Sequence, residues 1–206
     1  TGIEFNRLER GIAHYFTDQR SLDGAGAAAE LMRRHGVQRR VVSTAELLKI
    51  EPAFEPFGSH IVGATYTASD ESGDACVFTQ ALAQHCAARG AQFLYEHAIE
   101  RLDTSGDAIE SVAVRHYGTR ATGQKTMNLT ADAVVVACGS YTAPLLRSVG
   151  VYLPIYPGKG YSATFRILQP GRAPLVSTID VQVKCAFTRL GDQLRVAGTI
   201  ELGGYD

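Results

Sequence analysis

The amino-acid sequence predicts a mixed α/β fold, in which part of a doubly wound parallel sheet is interleaved with an antiparallel sheet. Residues 133–138 form a nearly continuous apolar run rich in β-branched residues, which is typical of a strand buried on both faces of a parallel sheet. Residues 75–149 follow the order helix, strand, hairpin, strand, glycine, helix, which favours a doubly wound unit. Extended segments precede and follow this part, so we expect two interleaved domains in which the two ends of the chain share one sheet.

The first part of the chain alternates between short strands and helices. Ser43 and Glu46 form a capping box, in which a hydroxyl and a carboxylate satisfy exposed N–H groups at the start of a helix that stops before Pro52. Gly36 is placed to end the preceding Ala-rich helix. The predicted elements here are a strand at 11–16, a helix at 25–35, a strand at 38–42 and the short capped helix.

Residues 24–29, GAGAAA, match the G-x-G-x-x-A pattern of pyrophosphate-binding turns. That mechanism requires the first glycine directly at the end of a strand, so that the turn places the phosphate on the helix N-terminus. Here residues 17–23 separate the preceding strand from Gly24. We interpret the match as a glycine-tolerant surface helix, and the alternative is a nucleotide-binding unit that uses NAD.

An acidic loop at 68–74 separates a predicted strand at 60–67 from a predicted helix at 75–89. Its carboxylates Asp70, Glu71 and Asp74 could bind a metal, but the spacing lacks the pattern and length of an EF-hand. We therefore interpret the loop as a solvated turn whose charge complements the dipole of the following helix.

The central part is predicted to form strands at 91–95, 109–117 and 125–129, the last two as an antiparallel hairpin. Ile99 is expected to point inward from the continuation of the first of these strands.

The turn after the apolar run is the predicted ligand-facing edge. Gly139 permits a close approach of the backbone, Ser140 can cap the next helix, and Pro144 lies in the first turn of that helix. Ligands of open α/β sheets bind beyond the carboxyl ends of the strands, so Cys138 to Ser140 are the best candidates for ligand-facing backbone. The alternative is a core strand followed by an ordinary tight turn.

The last part has the pattern of an antiparallel sheet. Two prolines and two glycines within 151–167 favour an edge or bent strand. Strands at 176–179, 183–190 and 193–200 follow, the last two joined by a turn at Gly191.

The composition argues against several functions. A formal net charge of −1 provides no field that would gather nucleic acid or an anionic membrane, and no apolar stretch reaches membrane-spanning length. The four cysteines form no CxxC pair, which favours buried reduced thiols over a metal or redox site. We therefore expect no metal and no nucleic-acid partner.

Several segments together resemble the FAD-dependent D-amino-acid oxidase superfamily, and most closely its bacterial D-amino-acid dehydrogenase (small subunit) branch. They occur in the family's order and span nearly the whole chain. The segments are 51–54, 63–66, 70–93, 137–146, 153–165 and 187–206.

The resemblance implies an oxidoreductase that transfers a hydride from a D-amino acid such as D-alanine to FAD, giving a 2-oxo acid and ammonia after hydrolysis. It implies a quinone or other respiratory electron acceptor, and a cytoplasmic location, either free or peripheral on the inner membrane. It assigns residues 1–68 and 151–206 to a substrate domain and residues 69–150 to part of an FAD-binding domain.

Matching positions in the family imply particular site residues. Ile99, Ala137, Cys138, Gly139 and Ser140 are the implied cofactor contacts. The resemblance assigns no catalytic side chain.

The implied substrate-side residues are Lys159, Gly160 and Tyr161, which match the family's P-x-(basic)-G segment. Lys159 is expected either to pair with a carboxylate or phosphate or to extend along the surface. Tyr161 is expected either to line the pocket or to fill the core of the sheet.

The family's N-terminal glycine loop, which binds the FAD pyrophosphate, and its C-terminal portion have no counterpart in these 206 residues. We therefore expect an incomplete flavoenzyme that binds FAD weakly or not at all, is inactive alone, and self-associates through uncovered apolar faces. The alternatives are a flavoenzyme similar to glycine or sarcosine oxidase, and a non-catalytic binding module.

Overall fold

The described part of the chain contains ten strands, four α-helices and three 3-10 helices, the last at Pro52–His60, Gly139–Tyr141 and Pro170–Arg172. The computed structural model describes residues 2–117 and 126–205. This mixture confirms the predicted mixed α/β class. In chain order the elements are β1 (Ile12–Phe16), α1 (Gln19–Arg34), β2 (Arg39–Val42), α2 (Thr44–Ile50), β3 (Gly63–Thr67), α3 (Ala75–Ala87), β4 (His97–Ser105), β5 (Ala108–His116), β6 (Thr126–Leu129), α4 (Thr142–Arg147), β7 (Lys159–Arg166), β8 (Ser177–Asp180), β9 (Cys185–Leu190) and β10 (Gln193–Glu201).

The chain divides into two units. Unit 1 contains the described residues up to 88 together with residues 160–201, and unit 2 contains those of 89–159 together with residues 202–205. Unit 1 is therefore built from two segments that are distant in sequence. The assignment of a substrate domain and an FAD-binding domain stays a prediction, as do their boundaries.

Unit 1 is built on a seven-stranded sheet with the strand order β2-β3-β1-β8-β9-β10-β7. The parallel pair β1 and β8, with Ile12 opposite Ser177, joins the two segments of the chain. The pairs β1/β3, β2/β3, β8/β9 and β9/β10 are antiparallel. The two ends of the chain thus share one sheet, as predicted, and β7 is an edge strand, as its prolines and glycines indicated.

The core of unit 1 lies where β1, β2, β3 and α2 meet. Leu47 of α2 is fully buried, and burial of such a side chain stabilises the fold by about 1.5–3 kcal/mol. The rings of Tyr15 and Phe54 pack with their centroids 5.2 Å apart. The buried members of this cluster are Ala13, Tyr15, Val42, Leu47, Ile61, Ala64 and Val176.

Helix α1 begins earlier than predicted. The Asp18 side chain caps it by accepting a 2.8 Å hydrogen bond from the Ser21 N–H, and Leu22 is buried. Gly24 and Gly26 therefore lie inside the helix, where their low helix propensity is offset by packing. This confirms the interpretation of GAGAAA as a helix, because a pyrophosphate turn needs its glycines before the helix rather than within it.

The predicted capping box is present in α2, and Asp74, expected only to complement the dipole of α3, caps that helix. In α2 the Ser43 N–H donates to Glu46 at 3.0 Å, and the Glu46 N–H donates to the Ser43 hydroxyl at 3.2 Å. In α3 the Asp74 carboxylate accepts from the N–H groups of the first turn at 2.9 and 3.0 Å.

In the acidic loop Glu71 pairs with Arg7 through two hydrogen bonds of 2.6 and 2.7 Å. The described residues contain no cluster of three potential metal ligands.

Unit 2 contains an antiparallel three-stranded sheet in the order β4-β5-β6. Its buried apolar residues include Leu102, Ala113 and Val114. The predicted hairpin is confirmed in β5 and β6, while its turn and the first predicted residue of the second strand, Lys125, lie outside the described residues.

Two predicted strands of unit 2 are wrong. Residues 91–95 and 133–138 form no strand, and the side chain of Val135, expected in the core, is 89% exposed. A parallel strand is stable only where neighbouring strands satisfy its N–H and C=O groups. Neither segment takes part in the two sheets formed by the described residues, so the apolar pattern is present without the pairing that it predicts.

The predicted inward position of Ile99 is also wrong, because its side chain is 44% exposed. The pairing of β4 with β5 shifts register between Ile99 and Arg101. Such an irregularity breaks the alternation of the strand, so Leu102 becomes the buried residue instead.

The cysteines are free thiols, but they are not buried as predicted. Cys76 is exposed, and Cys86, Cys138 and Cys185 are partly buried. None of the helices described is long and apolar enough to cross a membrane.

Candidate functional site

The predicted ligand-facing turn lies in unit 2, directly before α4. Gly139 has a φ of +56°, and a Cβ added to it would meet no atom within 4 Å. Gly139 to Tyr141 form a short 3-10 turn, which moves the start of the α-helix to Thr142. The expected capping role of Ser140 is therefore wrong, since the helix begins two residues later and has no side-chain cap.

Tyr205, near the end of the chain, holds this turn in place. Its hydroxyl donates a 2.9 Å hydrogen bond to the Ser140 carbonyl, and its ring packs on that of Tyr141 with centroids 5.4 Å apart. The Cys138 N–H donates to the Thr142 hydroxyl at 3.1 Å. No sequence pattern indicated these contacts, because they join residues that carry no common motif.

The residues of this turn fit one edge of an FAD site. The open side of Gly139 allows a ligand to approach the backbone, and Ile99, in the same unit, presents an exposed apolar side chain. The Cys138 N–H is already satisfied within the turn, so it is not a donor for a phosphate. Whether Ile99 and Ala137 to Ser140 contact a cofactor stays a prediction.

Of the predicted substrate-side segment, Gly160 and Tyr161 belong to unit 1, whereas Lys159 is assigned to unit 2. Lys159 is exposed at the start of β7, and Gly160 and Tyr161 line a cleft of about 650 Å³, here called the β7–β10 cleft. Tyr161 is 49% exposed, so of its two expected positions the structure shows the cleft wall rather than the core. The other lining residues are Val183, Lys184, Ala197, Gly198, Thr199 and Ile200.

Tyr161 is tied to the end of β10. Its hydroxyl donates a hydrogen bond to the carboxylate of Glu201, across the pair of strands β7 and β10. This hydrogen bond, with a smaller contribution from desolvation, raises the pKa of Tyr161 above its ordinary value. The phenol therefore stays protonated at neutral pH and keeps donating to Glu201.

Two residues of the cleft have a left-handed backbone. Lys184 has a φ of +58° and Thr199 a φ of +61°. The ladder between β9 and β10 is regular as far as the pair Ala186 and Ala197, just before Thr199. These backbone conformations could not be predicted from the sequence, because neither residue type favours them.

Gly198 permits the close packing at this bend. A Cβ at this position would lie 2.6 Å from the Cys185 sulfur and 3.2 Å from the Lys184 carbonyl oxygen. A side chain at this position would therefore clash, and the glycine lets β9 and β10 stay close at the cleft.

A buried carboxylate organises the turn that leads to Lys184. Asp180 Oδ1 accepts hydrogen bonds from the N–H groups of Gln182 at 2.9 Å and Val183 at 3.1 Å. Asp180 Oδ2 accepts a 2.8 Å hydrogen bond from the Tyr15 hydroxyl. Burial, followed by the interaction with Asp180, raises the pKa of Tyr15 well above its usual range.

The amino-acid sequence of this chain is similar to those of known proteins. A profile of the family described as FAD dependent oxidoreductase matches residues 1–206. The D-amino acid dehydrogenase of Dechloromonas aromatica (strain RCB) is 47% identical over 205 residues, which is 100% of this chain and 48% of that protein. The D-amino acid dehydrogenase of Paramagnetospirillum magneticum (strain ATCC 700264 / AMB-1) is 40% identical over 206 residues, which is 100% of this chain and 46% of that protein. The chain thus spans about half the length of the curated relatives it matches.

Solved structures share the fold. Glycine oxidase from Geobacillus kaustophilus aligns with a TM-score of 0.81 at 23% identity, over 100% of this chain and 51% of the other. L-proline dehydrogenase from P. horikoshii aligns with a TM-score of 0.81 at 18% identity, over 98% of this chain and 52% of the other. At these identities the likeness concerns the fold alone.

Proposed function

Because the chain belongs to the FAD dependent oxidoreductase family, we propose that it forms part of an enzyme that oxidises D-amino acids such as D-alanine to 2-oxo acids and ammonia. The observation that carries this proposal is its 47% identity, along its whole length, to a D-amino acid dehydrogenase. FAD, when bound, supplies the hydride acceptor. The contribution of the chain is to bind the substrate, orient its Cα and exclude water.

In this proposal the β7–β10 cleft is the substrate side. Val183, Ala197 and Ile200 give it an apolar lining, and Lys184 and Tyr161 bring a few polar groups to it, as in most small-molecule sites. Apolar walls displace water from a bound amino acid, which strengthens the electrostatic contacts made to it.

Unit 2 supplies the cofactor side in this proposal. Ile99 would contact the adenine side of FAD through its backbone, and Ala137 to Ser140 would approach the cofactor through theirs. The supporting observations are the exposed side chain of Ile99 and the open space beside Gly139.

We further propose that the electrons pass to a quinone or another respiratory acceptor, at the cytoplasmic face of the inner membrane. The support is that the curated relatives at 37–47% identity are named dehydrogenases rather than oxidases.

The 206 residues alone are proposed to bind FAD weakly or not at all, to be inactive, and to self-associate. The support is the position of Gly24 and Gly26 inside α1 and the internally satisfied N–H of Cys138, so neither the GAGAAA segment nor this N–H is arranged to bind a pyrophosphate. The exposed apolar side chains of Tyr95 and Val135 favour self-association.

The test titrates the purified 206-residue protein with FAD and, separately, with NAD, followed by flavin fluorescence and calorimetry. Little or no binding of either supports the proposal for the 206 residues, whereas tight FAD binding contradicts it and tight NAD binding favours a nucleotide site. The gene product that contains these residues is then assayed with D-alanine and a dye acceptor. Dye reduction supports the dehydrogenase, oxygen consumption with hydrogen peroxide formation supports an oxidase, and no turnover contradicts both.

A further inference from the structure

The open end of the β4–β5 hairpin in unit 2 carries two histidines that stand opposite each other. The ladder between the strands runs from the pair Ser105 and Ala108, beside the turn, to the pair His97 and His116 at the other end. Residues directly opposite in an antiparallel pair project from the same face, with Cβ atoms about 4.5–5.5 Å apart. The strand register therefore brings two imidazole rings together at the end of the hairpin that has no turn.

The separation of the two rings suits a shared metal ion. The ring centroids of His97 and His116 lie 4.8 Å apart, and the ring planes are inclined at 69°. Zinc binds imidazole nitrogens at about 2.0–2.1 Å in a tetrahedral arrangement, which places the centres of two rings on one ion about 5 Å apart. The two rings are thus at the separation that one ion between them requires.

A backbone contact determines which nitrogen of His97 can bind a metal. Its Nδ1 lies 2.7 Å from the carbonyl oxygen of Tyr95. Because a carbonyl oxygen only accepts hydrogen bonds, Nδ1 carries the proton and Nε2 carries the lone pair. Histidines that bind metals commonly donate their other ring N–H to a carbonyl or carboxylate, which orients the ring. His97 therefore has the tautomer that metal binding through Nε2 requires.

Glu96 places a negative charge beside the pair. Its carboxylate oxygen Oε2 lies 3.5 Å from Nε2 of His116. The backbone of Glu96 is left-handed, with a φ of +58°, and its carbonyl accepts a 2.7 Å hydrogen bond from the Tyr117 N–H. A carboxylate next to two imidazoles attracts a divalent cation and partly neutralises its charge.

We propose that His97 and His116 bind a divalent transition metal ion of the zinc class at the open end of the hairpin, with the charge of Glu96 supporting the ion. The described residues contain no cluster of three potential metal ligands, so water occupies the remaining positions of the ion. The bound ion joins β4 to β5 at the end away from their turn and stabilises the folded state. The inference does not depend on the proposed function, because it uses none of the residues proposed to bind FAD or the amino acid.

The test measures binding of zinc chloride and, separately, of magnesium chloride by calorimetry on the gene product that contains these 206 residues. Zinc is expected to bind the pair and magnesium is not, because magnesium prefers oxygen ligands. His97→Gln and His116→Gln each remove one of two linked ligands, so each is expected to weaken zinc binding at this site about 100-fold. Glu96→Gln removes only the charge and is expected to weaken zinc binding less than either histidine variant.

The matched control is His35→Gln, which removes an exposed histidine at the end of α1 and is expected to leave zinc binding unchanged. The double variant of His97 and His116 should bind zinc no more weakly than each single variant, because one ligand alone already fails to hold the ion. Zinc should also raise the thermal unfolding midpoint of the unaltered protein but not that of the double variant.

Circular dichroism without zinc checks that each variant folds, and Glu96→Gln, a change at an exposed residue, still tests the site if a histidine variant does not. Zinc affinities of both histidine variants equal to that of His35→Gln overturn the inference, and the pair is then a ring contact only. A magnesium affinity equal to the zinc affinity also overturns it, because imidazole nitrogens do not bind the two ions equally.

Discussion

The hydroxyl of Tyr15 donates a 2.8 Å hydrogen bond to the carboxylate of Asp180, although 165 positions separate the two residues in the sequence. The bond joins β1 to β8, the parallel pair that unites the two segments of unit 1. The other oxygen of Asp180 holds the turn before β9, so this one buried contact couples the centre of the sheet to the wall of the cleft.

Tyr15→Phe removes the donor and leaves a buried carboxylate oxygen unsatisfied. We expect the free energy of unfolding to fall by about 1–3 kcal/mol, measured by urea denaturation with circular dichroism. The matched control is Tyr66→Phe, whose hydroxyl donates to the Arg10 carbonyl nearer the surface, and its effect should be smaller. Equal losses of unfolding free energy for the two substitutions would show that the buried hydrogen bond to Asp180 stabilises the fold no more than the hydrogen bond nearer the surface.

The raised pKa of Tyr15 predicts a loss of stability at alkaline pH. In the unfolded chain the phenol releases its proton near the ordinary value of 10.0, whereas in the folded protein burial and the hydrogen bond to Asp180 retain it. The unfolded state therefore binds fewer protons above pH 10, so the contribution is complete below pH 10 and is lost as the pH rises beyond it. The stability difference between the unaltered protein and Tyr15→Phe should shrink above pH 10, as measured by urea denaturation across that range. A stability difference that stays constant above pH 10 would contradict a raised pKa of Tyr15.

Glu51 is a second buried carboxylate with a structural role. Its side chain is 4% exposed and accepts hydrogen bonds from the N–H groups of Leu175 at 2.7 Å, Val176 at 2.8 Å and Ala53 at 3.1 Å. Glu51→Ala leaves these donors unsatisfied, and we expect a loss of about 3 kcal/mol in the free energy of unfolding. The exposed Glu55→Ala serves as the control and should change stability by less than about 0.5 kcal/mol.

Gly198→Ala tests the close packing at the cleft. The added methyl group would lie 2.6 Å from the Cys185 sulfur, so we expect a loss of about 1–3 kcal/mol measured by thermal and urea unfolding. Adding Cys185→Ala removes the clash, and the double variant should recover part of that loss. Gly171→Ala, where a Cβ would meet no atom within 4 Å, is the control. A double variant less stable than expected from the two single changes would rule out this steric explanation.

Short-range patterns predicted most of the secondary structure correctly. The capping box of Ser43 and Glu46 and the hairpin turn at Gly191 depend on residues a few positions apart, so they can be recognised locally. The run at 133–138 shows the limit of this approach. Its apolar pattern predicts pairing with neighbours that the described sheets do not provide, and Val135 is exposed in consequence.

The candidate site was only partly predictable. The segment of Lys159, Gly160 and Tyr161 was identified from its resemblance to a family, and the structure places Gly160 and Tyr161 at a cleft. Lys184 and Thr199 line the same cleft. They are brought together by strand order and backbone torsion, which cannot be recognised from a local pattern.

The sequence by itself determined the class of fold, the family and the capping box of α2, because these depend on periodicity, composition and contacts between near neighbours. Only the tertiary structure decided that Tyr15 meets Asp180 and that Lys184 shares a cleft with Tyr161. Such contacts form when distant strands align in one sheet, and the burial and hydrogen bonding gained there offset the local strain at Lys184 and Thr199.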